Sequence, residues 1–161
     1  MEEKNKVVRI ETSKGTMTLE LYTARAPQTV ERFMAAVSTG KYDGLKFHRI
    51  IKDFMVQGGD PQGTGMGGGN VKFEGSDVKH VPGVISMAAQ QARVDQSDMQ
   101  FFIMTSTSEQ LDGNYTAFGH ITEGMDVLAA IAGTPVAKAP WGECSRPVED
   151  VRILKAFEIL D

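Results

Sequence analysis

Residues 47–60, FHRIIKDFMVQGGD, place Arg49 and Gln57 among phenylalanines, isoleucines, a valine and a methionine. Proton transfer is poorly provided for there. The acids are Asp53 and Asp60 alone, and His48 has no orienting partner nearby. Covalent attack is no better served, since the stretch contains no cysteine. What these residue types do supply is a pocket with apolar walls and a cationic donor.

Other arrangements in the chain fail on spacing. GTGMGG (63–68) has the letters of a dinucleotide fingerprint, but NVKFEGSD follows, with another glycine and strand-type residues where that motif opens a helix. No Lys-Ser or Lys-Thr closes the glycines into a nucleotide phosphate loop. His48, His80 and His120 are scattered without a second ligand at metal-site spacing, so no metal is expected and each reads as a structural or surface histidine. Ser106 and Ser108 lie near Glu109 without the glycine elbow or histidine that a nucleophile needs. Trp141, in APWGE, reads as a packing residue within a turn. No cofactor is expected.

The elements that must position Arg49 and Gln57 are mostly strands. VVRIETSKGTMTLELY (7–22) alternates Met17, Leu19 and Leu21 with Thr16, Thr18 and Glu20, which predicts two strands about a turn at Ser13, Lys14 and Gly15. In PQTVERFMAAVSTG, Pro27 suits a first helical turn, Val30, Phe33, Met34 and Val37 share one face, and Gly40 caps the end. Strand periodicity returns over 45–60, and 61–83 reads as a long surface connection. VISMA (84–88), QFFIMT (100–105) and TAFGHI (116–121) are short strands. EGMDVLAAIAGTP (123–135) is a second helix stopped by Gly133 and Pro135, and VEDVRILKAFEIL is the closing strand. Many strands with two helices imply a mainly β barrel or sandwich with helices at its ends.

The 161 residues suit one domain, 1–161, with enough chain to bury a core. A net charge of −4 with interspersed signs excludes an electrostatic footprint for nucleic acid or anionic membrane. MEEKNKVVRIE is charged where a signal peptide is apolar, no run reaches the length of a membrane span, and the single Cys144 suits a reducing compartment. The expected location is cytoplasmic.

YDGLKFHRIIKDFMVQGG (42–59) resembles the signature of the cyclophilin family of peptidyl-prolyl cis-trans isomerases. GVISMA, QFFIMT, LDGNYTAFGHITEGMDVL and RPVEDVRI resemble the family's later blocks in order. The similarity covers residues from about 7 to 160. It implies an eight-stranded antiparallel β-barrel capped by two α-helices, with the substrate groove on its outer face. The implied activity is rotation about X-Pro bonds in peptides and in unfolded or partly folded proteins. By the same resemblance the catalytic arginine falls on Arg49 and the proline pocket on Phe54, Met55, Phe102 and Leu111. Gln57 falls beside the substrate carbonyl, with His48, Ala88, Ala89, Gln100, Gln110 and Tyr115 completing the groove.

The chain departs from the family pattern at several of these positions. Gln110 stands where the members most sensitive to cyclosporin carry tryptophan, Tyr115 where many carry histidine, and Ala89 where many carry asparagine. AAQQARVDQSDM is longer than usual, and Met99 replaces a small polar residue. These differences imply reduced cyclosporin affinity and an altered groove. The rival reading is a non-catalytic proline-peptide binding module or chaperone using the same groove. A binder needs the apolar pocket but not the donor Arg49.

Overall fold

The computed structural model describes residues 4–63 and 67–160, so Thr64, Gly65 and Met66 of GTGMGG lie outside the described residues. In chain order the elements are β1 (Lys6–Thr12), β2 (Gly15–Leu21), α1 (Pro27–Ser38), β3 (Arg49–Ile51), β4 (Met55–Gly58), β5 (Asn70–Val71) and β6 (Val84–Met87). They continue as β7 (Gln96–Ser97), β8 (Phe101–Met104), β9 (Ala117–Glu123), α2 (Met125–Ala132), β10 (Val136–Lys138), β11 (Cys144–Pro147) and β12 (Ile153–Glu158). Eight strands form one antiparallel sheet in the order β12-β1-β2-β9-β6-β8-β4-β3. The sheet curls until its two edges meet. Lys46 bridges to Arg152, Phe47 N–H donates to Val151 O at 2.9 Å, and Ile153 N–H donates to Leu45 O at 2.7 Å.

Alternating residues send side chains to opposite faces of a strand, and here both faces are buried over the middle of the sheet. The inner face carries Val8, Ile10, Met17, Leu19, Val56, Ile85, Phe101 and Ile103 into the main core. On the outer face Met55, Val84, Phe102, Met104 and Ala117 form a second cluster. The helices close the ends. From α1, Phe33 reaches Phe101 and Phe118 at ring distances of 5.9 and 5.3 Å. From α2, Leu128 and Ile131 join the same core. α1 has no side-chain cap of its own; Glu74, from the long connection, accepts from the N–H groups of Gln28 and Thr29 at 3.0 and 2.6 Å.

The Gln-Gly-Gly run closes a tight corner. A Cβ on Gly58 would stand 2.9 Å from the Phe47 ring, and one on Gly59, whose φ is +86°, 2.6 Å from Met99 O. The eight-stranded antiparallel wall and the two helices match the sequence reading. Other details differ. The closing strand starts only at Ile153, because 148–152 runs into the seam with the segment before β3. The β10–β11 ribbon, which the alternation did not reveal, occupies the stretch between α2 and that seam. Trp141, expected to pack, is 66% exposed on the turn of this ribbon. Among the described residues no helix is long and apolar enough to cross a membrane.

His80 is 1% exposed and supports the outer cluster from beneath. Its ring stacks on Phe102 at 6.0 Å, and Nδ1–H donates to Asp112 Oδ1 at 3.1 Å while the Ser86 hydroxyl donates to Nε2 at 2.9 Å. A carboxylate only accepts, which fixes this tautomer. Burial lowers the His80 pKa, outweighing the opposing pull of Asp112. For Asp112 burial acts upward, but the hydrogen bonds from the His80 main chain and ring outweigh it and hold the carboxyl below its ordinary value. Burial likewise lowers His48.

Stability is therefore expected to fall in acid. An imidazole in the unfolded chain titrates near pH 6.5, and the buried rings titrate lower, so above that pH both states are neutral and the full stability is present. As pH drops below about 6.5, the unfolded chain binds protons first and stability is progressively lost, with Asp112 extending the loss to more acid pH. Urea midpoints should fall between about pH 7.5 and 5.5, and by less in His80→Gln. A midpoint that is flat or rises over this interval contradicts the assignment.

Candidate active site

One row of residues crosses four strands on the outer face. Arg49 on β3 is paired with Gln57 on β4, Gln57 with Phe102 on β8, and Phe102 with Ser86 on β6. The β3–β4 hairpin turns through Asp53, whose φ of 57° is a left-handed conformation that aspartate tolerates. Immediately after it, Phe54 N–H donates to Ile51 O at 3.1 Å, and the Phe54 side chain reaches the outer cluster.

Together these residues enclose a pocket of about 220 Å³. Phe54, Met55, Phe102 and Leu111 supply its apolar lining, Ala88, Ala89 and Tyr115 more of its wall, and Arg49 and Gln57 its polar edge. The Tyr115 ring meets Phe102 edge-on at 6.0 Å. Beside it runs a polar groove of about 840 Å³, bounded by Gln57 and Gln100 and by Gln90, Gln91, Val94 and Asp95 from the long AAQQARVDQSDM segment. Gln57, Ala88 and Ala89 border both spaces, so the two adjoin.

The guanidinium of Arg49 is held on two edges. Nη1 donates to Gln57 Oε1 at 3.0 Å, while Nε and Nη2 donate to the two oxygens of Glu143, both at 2.9 Å. Gln57 is fixed in turn, donating to Gln100 Oε1 at 3.1 Å, and Gln100 donates to Gly67 O at 2.9 Å. The hydrogen bonds from Arg49 are the main cause of a Glu143 pKa of about 2, so the carboxylate stays ionised. The Arg49 and Glu143 side chains are 35% and 28% exposed. Ion pairs this open to solvent contribute roughly 0–1 kcal/mol to stability, so the consequence of the contact is directional. Of the five guanidinium N–H donors, three point to described partners, which leaves one on each terminal nitrogen for a ligand.

Arg49, Phe54, Met55, Gln57, Ala88, Ala89, Phe102, Leu111 and Tyr115 thus come together around one pocket. Three residues do not join them at the pocket. Gln100 lines the adjoining groove and orients Gln57. His48 faces a different groove, with Lys46, Lys138 and Trp141. Gln110, in the short 3-10 turn Glu109–Leu111, is exposed and borders neither space. Glu143 and the His80–Asp112 pair were not read as site residues, and nothing local announces either, since Glu143 meets Arg49 across 94 positions. Ser86, His80 and Asp112 have the connectivity of a hydrolytic triad, but Ser86 is wholly buried and substrate cannot reach it.

Comparison with known proteins converges on the same reading. The model of the cyclophilin type peptidyl-prolyl cis-trans isomerase/CLD family matches residues 7–158. Peptidyl-prolyl cis-trans isomerase-like 1 of Neurospora crassa is 44% identical over 156 residues, covering 92% of this chain and 91% of that protein. The Homo sapiens protein of that name is 41% identical over 157 residues, covering 93% and 90%. A crystal structure of a Cryptosporidium parvum cyclophilin type peptidyl-prolyl cis-trans isomerase aligns with a TM-score of 0.90 at 30% identity, over 98% of this chain and 99% of that one. The same protein in the presence of the dipeptide Ala-Pro aligns with a TM-score of 0.88 at 30% identity, over 96% and 99%. With a family model spanning nearly the whole chain and a pocket of the matching character on the outer face of the sheet, this chain belongs to the cyclophilin-type peptidyl-prolyl cis-trans isomerase family.

Proposed function

We propose that this chain accelerates X-Pro rotation by binding the twisted imide better than either planar isomer, with Arg49 as the donor that makes the difference. The observation that carries this reading is a guanidinium held by Gln57 at the edge of an apolar pocket. Rotation costs about 18–20 kcal/mol because C–N conjugation is lost, yet no bond is made or broken. No acid, base or nucleophile is needed. In the twisted state the nitrogen regains its lone pair, and a fixed donor beside it stabilises that state selectively. Phe54, Met55, Phe102 and Leu111 hold the proline ring and exclude water, while Gln57 steadies the peptide backbone.

An acceleration on the order of 10⁵ needs about 7 kcal/mol. One charge-assisted hydrogen bond supplies roughly 1.5–3 kcal/mol, so ring fixation and a dry pocket supply the remainder. The substrates we assign are proline-containing peptides and unfolded or partly folded proteins, extended through the groove that the long segment borders. The Ala-Pro dipeptide that accompanies the Cryptosporidium relative is the smallest ligand of this chemistry. We place the protein in the cytoplasm, where its free, exposed Cys144 would stay reduced.

Arg49→Ala should lower kcat/KM by roughly 10²–10³, the loss that follows removal of one preorganised donor, with peptide affinity falling far less. Arg49→Lys should recover only part, since a flexible point donor replaces a planar fork. Phe102→Ala should weaken binding and turnover together. Equal losses of affinity and turnover in Arg49→Ala, in a folded protein, would instead support a binding module.

Between about pH 6.5 and 9 the profile of kcat/KM should be nearly flat. Glu143 is ionised throughout, and burial keeps His48 and His80 neutral. A bell centred near neutrality in a protease-coupled assay would overturn a mechanism without proton transfer.

Cyclosporin should inhibit weakly, because Gln110 offers neither an indole N–H nor a broad apolar face and stands outside the pocket lining. Gln110→Trp should gain sensitivity in an inhibition titration. Tight inhibition of the unmodified protein, or no gain in the variant, would reject this assignment.

A further inference from the structure

We infer that Glu143 is a positioning residue for the rotation step, acting through Arg49 by fixing the plane of its guanidinium. The inference rests on the role proposed for Arg49. Glu143 does not line the proline pocket; it grips the opposite edge of the guanidinium, using both carboxylate oxygens on Nε and Nη2 at 2.9 Å. A planar fork held bidentately has one orientation, whereas a single bond from Gln57 would leave the group free to turn about it.

The main chain that carries Glu143 is held by its own turn. The β10–β11 turn folds back so that Ala139 N–H donates to Glu143 O at 2.7 Å and Gly142 N–H donates to Ala139 O at 2.9 Å. Gly142 has a φ of +93°, a conformation that glycine adopts without strain. The ionised state follows mainly from Arg49, with smaller contributions from Ser145 and Trp141. The ribbon therefore works as an arm that reaches back to the first residue of β3. It brings a counter-charge to the rear of the arginine and leaves one donor on each terminal nitrogen for the substrate.

Two consequences of this charge oppose each other. The carboxylate partly neutralises Arg49, which weakens it as a donor, and it fixes Arg49, which aims it. A donor that acts only in the twisted state gains from aim more than from gross charge, because the difference between planar and pyramidal nitrogen is one of direction. Removal of Glu143 should then cost turnover and leave ground-state binding nearly intact.

Glu143→Ala and Glu143→Gln are to be compared in the full chain by progress-curve kinetics on an X-Pro peptide, alone and combined with Arg49→Ala. The expected result is a fall in kcat of about tenfold for alanine and about threefold for glutamine, which keeps one acceptor oxygen, with KM changed by less than about twofold. In the Arg49→Ala background Glu143→Ala should have no further effect. The Arg49 side-chain Nε–H resonance in a ¹⁵N-resolved NMR spectrum should be sharp in the unmodified protein, and shifted and exchange-broadened in Glu143→Ala. An unchanged or raised kcat, a rise in KM matching the loss of kcat, a further loss in the Arg49→Ala background, or an unaltered Nε–H resonance would each overturn the inference. If Glu143→Ala does not fold, Glu143→Gln decides by the same readouts. The resonance needs no turnover, so an unmodified protein inactive on X-Pro peptides would sink the isomerase reading and still leave the positioning contact to be judged by NMR.

Discussion

The period-two alternation of β4, β6 and β8 is the constraint on which the rest depends. Phe101 and Phe102 are neighbours in sequence, yet one belongs to the core inside the curled sheet and the other to the cluster outside it. Val56 and Met55 divide in the same way. A slip of one residue in the β4–β8 register would send Phe102 inward and Phe101 outward, exchanging a barrel wall for a pocket floor. Neither face could absorb that, because each is already packed. The register that builds the core therefore also places the site.

The polar groups of the site are oriented in series. Gly67 O holds Gln100, Gln100 holds Gln57, Gln57 holds Arg49, and Glu143 closes the far end. Each member meets the next through a hydrogen bond of ordinary length, and the row runs across strands that the core already fixes. Below it, His80 lies flat against Phe102 and is pinned from both sides by Asp112 and Ser86. The aromatic floor thus rests on a satisfied polar group within the cluster, which limits how far Phe102 can move.

Much of this was legible in the chain. Strand alternation in 7–22, the helical face of Val30, Phe33 and Val37, and the order of the short β runs gave the architecture. Resemblance in FHRIIKDFMVQGG and QFFIMT led to five of the nine residues now found around one pocket. What escaped notice depends on contacts between distant segments. Glu143 reads locally as an acid in a glycine turn, and His80 as an isolated histidine in a loop. The β10–β11 ribbon is three and four residues long with little alternation, so no period could announce it. His48 sits beside Arg49 in sequence, yet it lies in the segment where the sheet edges are being drawn together and faces a different groove.

The seam has a kinetic meaning. Arg152 reaches Gly44 O at 2.9 Å across a separation of 108 residues, and the adjoining main-chain bonds are comparably distant in sequence. Closing so long a loop carries an entropic cost that local pairing does not repay in advance, and chains dominated by such contacts fold toward the slower end of the two-state range. During synthesis the strands bearing Arg49, Gln57 and Phe102 leave the ribosome well before Ile153–Glu158. The nascent chain therefore carries every element of the outer-face pocket for a time while the wall behind it is still unsealed, with the edges of β1 and β3 open to other strands.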